Sequence, residues 1–232
     1  MRYTLLFIAL LTSLSQICQA QKAQRFNYGA KGGFSSTIYS IDQLSISGHE
    51  ITDFTPNSEV SWFGSLFLRM NIKRHYLQTD CSFANSRYSI SFPTTQWNSY
   101  ARNTDKSTIN TTLKCLEIPI CYGYQIQKEG YYCMSIFAGP KLAFILPGQS
   151  RHTFENFTQN SITEAVHTAN ASAVAGFCIQ IRDVFFDCTG EAGLNDISSH
   201  FTSIGTNGKT YKDDIIFHRH KNGISFSIGF IL

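Results

Sequence analysis

Alternation with a period of two runs through most of this 232-residue chain, and it leaves few folds open. Successive side chains of a β-strand point to opposite faces. In the first such stretch Phe26, Tyr28, Ala30, Phe34 and Ile38 share one parity, while Asn27, Lys31, Ser35 and Thr37 share the other. The same two-faced pattern returns at 60–70, 77–83, 116–126, 132–144, 173–179, 184–194 and 224–232, which makes eight strands. Phe63, Phe67, Phe137 and Val174 break the pattern by standing on the polar parity.

The connections alternate as well. Links at 73–74, 127–130 and 182–183 are short, whereas 40–59, 93–110, 147–167 and 196–218 are long and polar. Short turns at one end and long loops at the other are the signature of a transmembrane barrel. The expected fold is therefore all-β, an eight-stranded antiparallel up-and-down transmembrane β-barrel with both termini at the short-turn, periplasmic end. Composition decides against the soluble rival, an eight-stranded lipocalin-like barrel. That fold would turn its polar face to water and need many charges there. Here charged residues are only 15% of the chain, and aromatics reach 14%. The apolar parity is too continuous and bulky to fit inside so small a barrel. The excess of 19 basic over 16 acidic residues is not gathered into a patch, so no nucleic-acid partner is expected.

The first segment reads as an address. Met1-Arg2 precedes an apolar run at 3–14, and Cys18-Gln19-Ala20 offers small residues at the −3 and −1 positions. This is the layout of a secretory signal, 1–20, cleaved after Ala20. The barrel domain is then 21–232, and its expected place is a bacterial outer membrane. Ile17 before Cys18 argues against lipoprotein processing.

On the polar parity stand Lys31, Arg69, Asp80, Glu117, Lys141, Asp187 and Glu191, three basic and four acidic groups expected inside the barrel. Ionisable groups in a membrane domain face one another or water. Their near-balance predicts an ion-pair plug rather than an ion path. A 127–130 hairpin centred on Glu129 would set Glu117 opposite Lys141, Cys121 opposite Phe137 and Cys133 opposite Gln125. Cys81, Cys115, Cys121, Cys133, Cys178 and Cys188 are then expected as small apolar fillers rather than disulfides. His218, Arg219 and His220 are expected as a solvated cluster where a loop enters the last strand. With no Gly-x-Ser-x-Gly elbow, phosphate-cradling loop or Cys-x-x-Cys, no catalytic, cofactor-binding or metal-ligating residue is assigned.

Four short motifs carry a family resemblance. Leu116-Glu117-Ile118-Pro119 resembles the Leu-Glu-Ile-Pro strand of the PorT-like outer-membrane β-barrel family of Bacteroidetes. Gly139-Pro140 is similar to the Gly-Pro of that family's next strand. Gly193-Leu194-Asn195-Asp196-Ile197 resembles its Gly-Leu-x-Asn-Ile, and Tyr76-Leu77-Gln78 its Tyr-Leu-Gln. The resemblance implies fold and compartment, and some members serve secretion and gliding systems. The expected role is a non-enzymatic structural or interaction scaffold. It would act through its long extracellular loops as an accessory to an envelope secretion system, with outer-membrane lipid and envelope proteins as partners. A small passive porin and a membrane-embedded lipid-modifying enzyme are the rival readings.

Overall fold

The computed structural model describes residues 25–232, apart from 47–48, 54, 97–104, 147–150, 156–159, 197, 205–209 and 213–214. The expected signal segment, 1–20, lies outside the described residues. In chain order the strands are β1 (Phe26–Ile46), β2 (His49–Glu50), β3 (Thr55–Ser58), β4 (Val60–Ile72) and β5 (His75–Pro93). Next come β6 (Lys106–Glu129), β7 (Tyr132–Ile145), β8 (Arg151–Glu155), β9 (Asn160–Val166) and β10 (Ala169–Ile181). The last four are β11 (Val184–Gly193), β12 (Ser198–Ile204), β13 (Thr210–Lys212) and β14 (Ile215–Ile231). One 3-10 turn, Thr94–Gln96, is the only helical element among the described residues.

Eight of these strands close on themselves, each antiparallel to its neighbours: β1, β4, β5, β6, β7, β10, β11, β14 and back to β1. They are the eight alternating stretches of the sequence. Moving from partner to partner once round the ring passes Phe26, Met70, Leu77, Tyr122, Ala138, Ala175, Gly190 and Ile224. The path re-enters β1 at Ser36, ten residues beyond its start. Ten residues at ~3.3 Å, set against eight strands ~4.8 Å apart, correspond to a tilt of about 40°, the range of closed barrels.

The parity sorts as expected. Leu66 is 67% exposed and Phe226 62%, and Phe34, Leu68, Tyr122, Ile136, Phe177 and Phe230 also lie outward. Such an apolar band is tolerable only if lipid covers it. The four residues that broke the pattern point inward. Phe67 and Val174 are buried, and Phe63 and Phe137 line the lumen. Two of the inward rings reach over a glycine directly opposite on the next strand. Tyr76 covers Gly123, and Phe137 covers Gly176. Phe67 and Phe185 stand likewise over Gly29 and Gly229. A Cβ at any of these glycines would collide with the ring. A missing side chain on one strand thus makes room for a large one on its neighbour.

The structure corrects the sequence reading of the strands and their register in two respects. The long links are partly folded, not loops throughout. β5 and β6 stay paired from His75–Tyr124 out to Pro93–Lys106, and β3 and β8 extend this ribbon on its two sides. β6 has 24 residues, about 80 Å at ~3.3 Å each. That exceeds what a ~30 Å hydrocarbon layer needs even with tilt. Beyond the membrane-length segment the inward parity turns apolar again, and Ile90, Phe92, Ile109 and Leu113 are buried there together with Ile51. β9, β12 and β13 form a separate three-stranded sheet from the last two long links. The second correction is the β6–β7 register. The turn sits at Gly130-Tyr131, not at Glu129, and an irregularity falls between Gln125 and Gln127. Glu117 therefore pairs with Ala143, and Lys141 with Pro119. Cys133 pairs with Lys128 rather than Gln125.

All six cysteines from 81 to 188 are free thiols. Cys115, Cys121 and Cys178 are buried inside, while Cys81 is exposed on the outward parity. Alkylation of the denatured, unreduced protein should add six adducts in the mass spectrum. A pair of unlabelled cysteines would contradict this arrangement.

Candidate functional site: the charged lumen

Every charge expected inside is inside, and the ring closure brings them into two clusters. In the first, Lys31 on β1 lies 2.7 Å from Asp80 on β5 and 3.3 Å from Asp187 on β11. Arg69 joins this cluster through an amide. Its Nε–H donates to Gln78 Oε1 at 2.7 Å, and Gln78 Nε2 donates to Asp80 Oδ1 at 2.8 Å. In the second, Lys141 on β7 lies 3.0 Å from Glu117 and 2.6 Å from Glu191. Glu117 does not face Lys141 across the ladder, yet the long ammonium arm spans the two-residue offset.

Sequence reasoning missed the partner that completes this second cluster. Lys221 on β14 lies 2.8 Å from Glu117 and 3.8 Å from Glu191, so two ammonium groups and two carboxylates alternate. With it the two clusters hold four basic and four acidic groups, not three and four. The signal was present. Lys221 and Arg219 continue the inward parity of Ser225, Ser227 and Gly229. Arg219, expected in a solvated rim cluster, is fully buried, with β14 running past it to Ile215. His220 is the outward member, half-buried, with Nε2 3.4 Å from Asp196.

Between the clusters and the short-turn end stands a stopper. Phe67, Cys178 and Phe185 form a buried core, with Phe137 and Ile231 packed against it. The Phe67 and Phe185 rings meet edge to face at 5.2 Å. The Arg69 guanidinium carbon is 4.5 Å from the Tyr76 ring centre, 5.5 Å from Phe185 and 5.8 Å from Phe67. A cation held over ring faces, with amide oxygens accepting its N–H groups, fills the cross-section without leaving the charge unsolvated. Above it lies a cavity of about 90 Å³ lined by both charge clusters and several serines. It could hold roughly three waters at ~30 Å³ each. Chemically, the lumen is a set of buried ion pairs sealed by aromatic rings.

Comparison with known proteins agrees with this architecture. The family model described as outer membrane protein beta-barrel domain matches residues 19–199. The outer membrane protein OprG from Pseudomonas aeruginosa has a similar structure, with a TM-score of 0.55 at 11% identity over 89% of this chain and 95% of that one. The outer membrane protease OmpT from Escherichia coli aligns at TM-score 0.47 and 7% identity, covering 91% and 98% of the two chains. Ail, the attachment invasion locus protein of Yersinia pestis, aligns at 0.38 and 12%, covering 90% and 100%. No curated protein sequence matches this chain.

Proposed function

We propose that this chain, which belongs to the outer membrane protein beta-barrel domain family, is a closed, non-enzymatic scaffold whose working surface is the folded sheet beyond its outer rim. The carrying observation is the contrast between its two parts. Inside, the carboxylates that could serve as acid, base or nucleophile are each engaged by an ammonium group. Outside, the chain builds an ordered surface. Gln96 accepts hydrogen bonds from the Thr52 and Asp53 amides and donates to the Asp53 carbonyl at 2.7 Å, tying one long link to another. Thr94 and Ser107 hydroxyls lie 2.9 Å apart across the outer end of the β5–β6 ribbon. A pre-ordered surface binds a partner without first losing conformational freedom.

The four motifs quoted above support placement in the PorT-like subfamily of Bacteroidetes, and with it a role accessory to an envelope secretion system. In this reading the signal segment is removed after Ala20. The mature protein should fractionate with the outer membrane, begin at Gln21, and change gel mobility on boiling. Recovery as a soluble periplasmic protein would sink the reading. The scaffold role is tested by replacing residues 94–105 with a two-residue turn. Mobility should still shift on boiling, while species crosslinked to the wild-type protein in intact envelopes disappear. An unchanged crosslinking pattern, or none for wild type, would refute a role for this surface.

A further inference from the structure

The short-turn end holds a second feature, which the scaffold role does not use. Below the aromatic stopper the barrel opens into a basin of about 630 Å³. Its rim carries Arg25, Lys73, Lys128 and Arg182 against one carboxylate, Asp183. None of these four cations forms an ion pair with a described residue. The contrast with the two lumen clusters, which balance four against four, is sharp.

The floor is polar as well. Arg69 reaches it from the stopper, with an Nη1–H directed 3.4 Å to Gln180 Oε1. Gln180 in turn donates to the Arg182 carbonyl at 2.9 Å, tying floor to rim. Gln125 lines the same basin, is only 6% exposed, and its Oε1 has no hydrogen-bond partner. Gln125 Nε2 is not shut away as Oε1 is, and it carries two N–H donors for an acceptor in the basin. Two of the rim cations also stand where an L side chain is disfavoured. Lys73 has φ 57° and Arg182 φ 55°, at turns that glycine or asparagine would make with less strain. Arg182 is held over the Tyr131 ring at 4.8 Å.

The geometry points to an oxyanion-binding vestibule at the periplasmic mouth, taking the phosphate or carboxylate group of a periplasmic molecule. Rim cations supply the field, and Gln125 with Arg69 supplies directed N–H donors at the floor.

Calorimetry on the purified barrel in zwitterionic detergent at low salt tests this. The probes are inorganic phosphate, citrate and, as a headgroup source, dihexanoyl phosphatidylglycerol. At least one free oxyanion should bind saturably with one site per barrel. Affinity should fall about tenfold or more in the Lys128→Gln/Arg182→Gln double variant, since each lost contact of ~1.4 kcal/mol is a factor of ten. Gln125→Leu should weaken binding without altering the boiling shift. Lys106→Gln, at the opposite end, should bind as wild type does. Binding of the lipid probe alone would overturn a periplasmic solute as the source. Absence of saturable binding, or binding that survives the double rim variant, would overturn the vestibule itself.

Discussion

Lys141→Ala should cost the barrel roughly 3–5 kcal/mol, among the largest losses available to a single substitution here. Lys141 is one of two cations that hold Glu117 and Glu191, at 3.0 and 2.6 Å, and its side chain is 8% exposed. Its removal leaves two carboxylates sharing the Lys221 ammonium in a lumen with little water. The cost is chiefly that of the stranded charge, not the value of the lost bonds. Glu117→Ala leaves the opposite imbalance, because Lys141 and Lys221 then share Glu191 alone. The double variant restores equal numbers and should cost less than the two single losses together. Urea unfolding in lipid vesicles measures all three. Strictly additive losses would show that the cluster does not act as a unit.

Planar bilayers containing the purified protein should show no stable open channel, in wild type or in Lys141→Ala. Three barriers stand in series along the axis. The aromatic layer around Arg69 closes the short-turn side. The paired charges surround a cavity large enough only for a few waters. Above them the inward parity carries buried Ile90, Phe92, Ile109 and Leu113. Removing one ammonium enlarges the middle cavity and leaves the outer two barriers standing. A barrel of eight strands has an interior that side chains can just fill. A steady ion-selective current that changes with Lys141 or Glu117 substitution would instead establish the small-porin reading.

How much of this could be read from residues alone follows from the range of each interaction. Parity is local. Phe26, Tyr28 and Ala30 alternate with Asn27 and Lys31 whatever the rest of the chain does, so the eight strands and their inward charges were visible. The apparent faults at Phe67 and Phe137 were also visible, but not their meaning. Each ring needs a glycine on the neighbouring strand, and neither residue announces which glycine that is. The outer strand segments were hidden for another reason. Residues such as Asn85, Ser86 and Ser89 are buried and polar, so strand there looks like loop. Lys221 and Arg219 were lost in the same way, behind a run of polar residues leading into the last strand.

The sequence by itself determined the eight strands of the ring, the face each of them turns outward and the identity of seven of the eight clustered charges, because a two-residue period and the hydrophobic effect act over a few residues. Tertiary structure alone decided who pairs with whom. A single irregularity near Ile126 and a turn at Gly130-Tyr131 shift Glu117 from Lys141 to Ala143 in the ladder. The pair survives only because a lysine arm is long enough to absorb the offset. Lys31 meets Asp187 across 156 residues of chain, and Lys221 meets Glu117 across 104. Those meetings depend on closing the ring between β1 and β14 with a ten-residue stagger. Such closure sums the registers of all eight ladders, and no local stretch of the chain contains that sum.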